Sequence, residues 1–177
     1  MTNKVIFGTL LLVAGLGSCN GSSSTSQPPT PANRTASPSP SAVANSNELS
    51  AIEQSVFKEI NEYRQSQNLS PLTWNDEISQ QARKHSEAMA SGQVPLSHEG
   101  FEERVEAIAK TVSYRGAAEN VAANQGHANP GQQAVQGWLS SSGHLRNIEG
   151  NYDLTGVGVA KNAQGEYYFT QIFIQPR

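Results

Sequence analysis

The segment from Glu166 to Ile174 limits the fold more than any other part of this chain. It reads Glu-Tyr-Tyr-Phe-Thr-Gln-Ile-Phe-Ile and follows the turn-like Asn162-Ala163-Gln164-Gly165. Side chains alternate across a strand, so Tyr167, Phe169, Gln171 and Phe173 would share one face, and Tyr168, Thr170, Ile172 and Ile174 the other. A strand apolar on both faces must be covered on both sides. This predicts helices above and below a sheet, that is, a layered α/β fold. Gly156-Val157-Gly158-Val159-Ala160, just upstream, reads as the neighbouring strand.

Helical periodicity lies upstream of these strands. Ile52, Val56, Ile60 and Tyr63 recur at helical spacing between Glu48 and about Gln67, with Asn47 as the expected cap. A second helix is predicted from about Asn75 to Ser91, with Ile78, Ala82 and Met89 on one stripe and His85 beside them as a packing or surface residue. A short third helix is predicted over Phe101–Ala109. A fourth runs from Pro130 to about Ser141 and carries Val135, Trp138 and Leu139, with proline suited to its first turn. Trp74, Trp138 and the aromatics of Tyr167–Phe173 read as core.

The N-terminal quarter has a different composition. Val5 to Leu16 is apolar and small apart from Thr9, and too short to span a membrane as a helix. It ends in Leu16-Gly17-Ser18-Cys19, which resembles a bacterial lipobox. The implied maturation makes Cys19 a lipidated N-terminus, and more than one acyl chain anchors stably. Residues 1–18 then form a lipoprotein signal peptide, with ordinary secretion as the alternative. Residues 19–47 form the lipidated cysteine and a disordered linker, since Ser, Pro and Thr fill 16 of the 28 positions after Cys19. The folded domain is expected at 48–177. Cys19 is the chain's one cysteine, so a disulfide framework within the chain and a multi-cysteine zinc site are excluded. With 12 basic against 15 acidic residues, no basic excess invites nucleic acid.

His98 and His144 stand where predicted helices end, in Ser97-His98-Glu99-Gly100 and Ser142-Gly143-His144-Leu145. Such loops often carry function. Glu119 lies among small and apolar neighbours, where a buried carboxylate needs a partner. His127 lies in a polar loop and reads as solvated.

These segments form an ordered set. Asn61-Glu62-Tyr63-Arg64, Leu72-Thr73-Trp74 and Ala82 come first. Ser97-His98, Arg104, Glu119-Asn120-Val121 and Trp138 follow. Ser142-Gly143-His144, Asn147-Ile148, Gly156-Val157-Gly158 and Thr170-Gln171-Ile172-Phe173 end the set. Over residues 56–174 it resembles the CAP superfamily of cysteine-rich secretory, antigen 5 and pathogenesis-related proteins, also called SCP-like domains, in its bacterial extracytoplasmic branch. The resemblance implies a three-layer α-β-α sandwich with a central antiparallel sheet. It also implies a cleft holding His98, Glu119 and His144, with Asn120 and Gln171 beside them. Asn120, Gln171 and Asn147 suit hydrogen-bond pins for loop and sheet. The family's second glutamate falls at Ser141 here, and Leu145 and Glu149 also depart from the usual pattern.

Three readings of the cleft remain open at this point. It is a binding site for an envelope lipid, glycan or protein. Alternatively, His98, His144 and Glu119 hold Zn²⁺ or another divalent metal, with or without hydrolase activity, although loss of the second glutamate removes the obvious general base. Or the three residues simply hydrogen-bond to one another and close the cleft. A serine hydrolase built on Ser97 or on Ser140–Ser142 lacks a nucleophile elbow. The expected location is outside the cytoplasm, on the cell membrane or the outer membrane.

Overall fold

The computed structural model describes residues 40–177, with side chains from residue 45. Residues 1–39, including the signal segment, Cys19 and most of the linker, lie outside the described residues. Nine elements follow in order: α1 Pro40–Ser66, β1 Thr73–Trp74, α2 Asp76–Ala90, α3 Phe101–Ile108, β2 Tyr114–Asn124, α4 Pro130–Leu139, α5 Ser142–Glu149, β3 Leu154–Lys161 and β4 Tyr167–Pro176. The strands form one sheet in the order β1-β3-β4-β2. Its two long pairings are antiparallel, and the two-residue β1 lies parallel to β3.

The two-faced reading of β4 is borne out. Phe169 and Phe173 are fully buried with Val56 and Ile60 of α1, Trp138 of α4 and Ile148 of α5. On the opposite face, Ile172 and Ile174 pack with Ile78 and Ala82 of α2 and Ile108 of α3. The result is helices, sheet, helices, with a core on each side of the sheet. Trp74 and Tyr167 sit at the border of the first core, partly buried. The second helix starts as its sequence predicts, since Asn75 is its cap and its Oδ1 accepts the Ile78 amide at 3.1 Å. The β3–β4 turn also follows its residue chemistry. Asn162 Oδ1 accepts the amides of Gln164 and Glu166, and Gly165 takes φ 83°.

Layer spacing is tightest where α2 crosses β3. A Cβ on Gly156 would lie 2.2 Å from the Ser79 amide nitrogen, and one on Gly158 would lie 2.1 Å from that of Arg83. Helix backbone therefore rests directly on strand backbone. Beyond β1, the outer edge of β3 is closed from both layers. Glu53 of α1 accepts the Val159 amide at 3.1 Å and two hydrogen bonds from Arg83 of α2 at 2.8 and 2.7 Å. This plugs an otherwise unpaired strand edge.

Two expectations are corrected and one unpredicted strand is added. The first helix starts at Pro40, so residues 40–47, expected in the linker, form its opening turns and Asn47 lies inside it rather than capping it. Pro40 suits a first turn, and no proline follows before Pro71 to stop the helix. β2 was not anticipated, because its Ala- and Asn-rich sequence has little intrinsic strand preference. Its ten-residue register with β4 imposes the conformation. Finally, Ser142–Glu149 is a helix rather than a loop, so His144 lies in its first turn.

Candidate functional site

The site grows from the middle of β2. Glu119 pairs in register with Ile172, which turns its side chain toward the α2/α3 layer. There it meets Arg104 of α3. Arg104 Nε donates to Glu119 Oε2 at 2.9 Å and Nη2 donates to Oε1 at 2.8 Å. The pair is buried, with 10% and 2% of the two side chains exposed. A planar guanidinium matches a carboxylate in this two-pronged way, and an ammonium cannot.

His98 completes the cluster. Its Nδ1 lies 3.0 Å from Glu119 Oε1. A carboxylate held by arginine can only accept, so Nδ1 carries the proton and Nε2 is the ring's available nitrogen. The His98 side chain is 54% exposed while its partner carboxylate is buried. The loop beneath it is pinned twice. Arg104 Nη1 donates to the Glu99 carbonyl at 2.8 Å, and His85 Nε2 donates to that of Ser97, also at 2.8 Å. Burial holds the His85 pKa below the ordinary histidine value, against the opposing effect of the Ser97 carbonyl. His85 thus has the packing role expected of it.

His144 approaches from the other layer. Asn120, fully buried, donates from Nδ2 to the His144 carbonyl at 3.2 Å. Asn147 donates to both the Glu119 carbonyl and Asn120 Oδ1, at 3.1 and 2.9 Å. These amides stitch α5 to β2, as the pin reading anticipated. The His144 pKa is lowered, first by burial and second by the charge of His98. Gln171 lies directly across from Asn120 in the β2–β4 register, fully buried, with Nε2 donating to Thr155 Oγ1 at 3.2 Å. His127 is exposed, as expected for its loop.

A metal held jointly by His98, Glu119 and His144 does not fit this arrangement. Both Glu119 oxygens already accept from Arg104, and Oε1 also accepts from His98. With Nδ1 turned to Glu119, His98 could ligate only through Nε2, on the far side of its ring. The carboxylate then has the position of an orienting partner behind a histidine, not of a ligand beside it. Among the described residues no group of three His, Cys, Asp or Glu side chains is arranged to hold an ion. A serine nucleophile is equally unsupported. Ser97 Oγ donates to the Pro95 carbonyl and Ser140 Oγ to that of Gln136. Among the described residues no hydroxyl is hydrogen-bonded to the ring of His98 or His144.

Sequence reasoning did not assign Arg104 a place in the site. It lies fifteen residues before Glu119 with no local signal linking the two, and only the fold brings them together. A cavity of about 570 Å³ between α1 and the start of α4 is lined by none of the three site residues.

Comparison with known proteins agrees with this architecture. Residues 57–173 match the family described as CAP, the cysteine-rich secretory protein family. An uncharacterized protein of Bacillus subtilis, YkwD, is 33% identical over 133 residues, covering 71% of this chain but 48% of its own length. A second B. subtilis relative, the uncharacterized membrane protein YlbC, is 30% identical over 128 residues, covering 70% of this chain and 34% of its own length. The chain therefore spans half or less of these relatives. The crystal structure of an extracellular SCP-domain protein from Bacillus anthracis aligns with TM-score 0.63 and 28% identity, over 80% of this chain and 45% of that one. An outer surface protein from Borrelia burgdorferi shares the fold with TM-score 0.61 and 19% identity, over 72% and 94% of the two chains. The chain belongs to the CAP, or cysteine-rich secretory protein, family.

Proposed function

We propose that this chain is an extracytoplasmic binding module, tethered to a membrane through Cys19, whose cleft presents His98 and His144 to an envelope lipid, glycan or protein. The observation that carries the reading is the commitment of Glu119. Its carboxylate is engaged by Arg104 and orients His98, so the cluster offers a fixed, half-exposed imidazole. Among the described residues neither a three-ligand metal centre nor a hydroxyl hydrogen-bonded to the ring accompanies it. A fixed polar group in a concave site orients a ligand. The location is supported by the lipobox-like Leu16–Cys19 and the Ser/Pro-rich segment after it. Relatives described as an extracellular protein and an outer surface protein point the same way. Among the described residues no helix is long and apolar enough to cross a membrane.

The test uses the full chain, immobilised and exposed to envelope extracts separated into lipid, glycan and protein fractions. Retention of one fraction that is lost in a folded His98→Ala, His144→Ala double variant is the expected result. No retention, or retention unchanged in the variant, counts against the cleft. Anchoring is tested separately. Cys19→Ser should move the protein from the detergent phase to the aqueous phase.

A further inference from the structure

A second feature lies beside the His98 centre, along the outer edge of β2. The alternation of hydrogen bonds through the sheet defines that edge. The Val159 amide reaches Glu53, and the Thr155 carbonyl accepts from Asn75, so odd-numbered residues of β3 point away from β4. Carried through the β3–β4 and β4–β2 registers, this directs the main-chain groups of Glu119, Val121 and Ala123 to the free edge of the sheet. Two outward carbonyls are capped. Asn147 donates to that of Glu119, and Trp138 Nε1 donates to that of Val121 at 3.0 Å. Beyond Val121 the capping stops. Among the described residues no hydrogen bond from outside the sheet reaches the Val121 amide or either main-chain group of Ala123.

This open stretch is recessed. It forms one wall of a groove of about 480 Å³, with Gln133, Gly137 and Trp138 of α4 opposite and His144 at one end. Apart from the two histidines, His127 and His144, no ionisable side chain lines it. Two further observations point to an occupant. Gly137 sits inside a ten-residue helix, where glycine is unfavourable by about 1 kcal/mol relative to alanine. Packing does not require it, because a Cβ there would meet nothing within 4 Å. Asn124, also on the groove, donates from Nδ2 to the Pro130 carbonyl, but its Oδ1 is buried without a donor.

We propose that this groove binds an extended, uncharged polypeptide segment, which adds to the edge of β2 as an extra strand and places a small residue over Gly137. Two outward amides, those of Val121 and Ala123, and the Ala123 carbonyl, at strand spacing, select an extended main chain, as in other cases of strand addition. The absence of a cationic wall disfavours phosphate-bearing ligands. This deepens the binding reading, since His144 closes one end, but the groove does not include His98.

The test pans a phage-displayed library of short random peptides against the immobilised full chain and synthesises an enriched peptide. Its affinity is measured before and after N-methylation of alternate amides. Methylation of one alternating set should weaken binding about tenfold or more, while the other set has little effect. The amides of Val121 and Ala123 should exchange more slowly with peptide bound. Gly137→Leu, which fills the groove without a clash at Cβ, should abolish binding. So should Ala123→Pro, which removes an edge donor at a position where an edge strand tolerates proline. Glu62→Ala, at an exposed position of α1, should bind within about twofold of the parent, and loss of envelope-fraction retention with peptide binding intact would count against the His98 reading alone. The proposal is overturned if no peptide is enriched, if binding ignores both groove variants, or if both methylated sets bind alike. A dimer abolished by Ala123→Pro would assign the edge to a second copy and overturn it as well.

Discussion

His98 Nδ1 lies 3.0 Å from Glu119 Oε1, and that same oxygen accepts Arg104 Nη2 at 2.8 Å. One carboxylate thus couples an exposed imidazole to a buried guanidinium. Replacing it removes the arginine's counter-charge inside the protein. Breaking one side of a buried pair is destabilising by about 3–5 kcal/mol. Glu119→Gln should therefore lower the melting temperature by about 10 °C or more. Arg104→Lys should also lower it, because lysine cannot make the two-pronged contact. Thermal unfolding followed by circular dichroism checks both. An unchanged melting temperature in either variant would show that the cluster contributes nothing to the fold.

The two histidines give a second measurable coupling. Burial first, and the charge of His98 second, hold His144 below the ordinary histidine pKa. In His98→Asn the second contribution disappears while the first remains. The His144 pKa should then rise part of the way back toward about 6.5. Imidazole resonances followed by NMR through pH 4–8 would read it. A His144 titration identical in parent and variant would mean that the rings do not sense each other.

His85 adds a dependence of stability on pH. Its folded-state pKa lies below the unfolded value because burial disfavours the charged ring. The unfolded chain therefore binds the proton more readily, and protonation favours unfolding. The stabilisation is complete above about pH 6.5 and is lost as pH falls through the lowered folded-state value. Denaturant midpoints should decline across that window. In His85→Gln the part of the decline due to this ring should vanish. Equal slopes in the two proteins would exclude His85 as a source.

The parts of this fold legible in the sequence are those with a local physical signal. Alternation showed both faces of β4, helical spacing showed the stripe of α2, and Asn75 marked where that helix starts. Long-range effects shape the rest. β2 has only Val121 as a β-branched residue between Arg115 and Asn124, and it is a strand because β4 offers it a register. α5 begins within three residues of the end of α4, and Ser142-Gly143 looks like a break. Arg64 pins the far end of α5 by donating to the carbonyls of Ile148 and Gly150, 84 and 86 residues away in sequence. Within the site, His98, Glu119 and His144 were legible as residues. Their division of labour was not, because it depends on Arg104 occupying the carboxylate.

Two glycines with opposite surroundings should respond in opposite directions to the same substitution. A Cβ on Gly158 would lie 2.1 Å from the Arg83 amide nitrogen, and the α2 backbone cannot yield without leaving the sheet. Gly158→Ala should therefore be destabilising by about 3 kcal/mol or more, as overpacking against backbone demands. Gly137 has open space at its Cβ and sits inside α4. Gly137→Ala should stabilise the protein by about 0.5–1 kcal/mol through helix propensity alone. Urea unfolding of the two variants tests the pair. A neutral Gly158→Ala would show that α2 does not rest on β3 as described. A destabilised Gly137→Ala would show that the wall of the groove is already occupied by the protein itself.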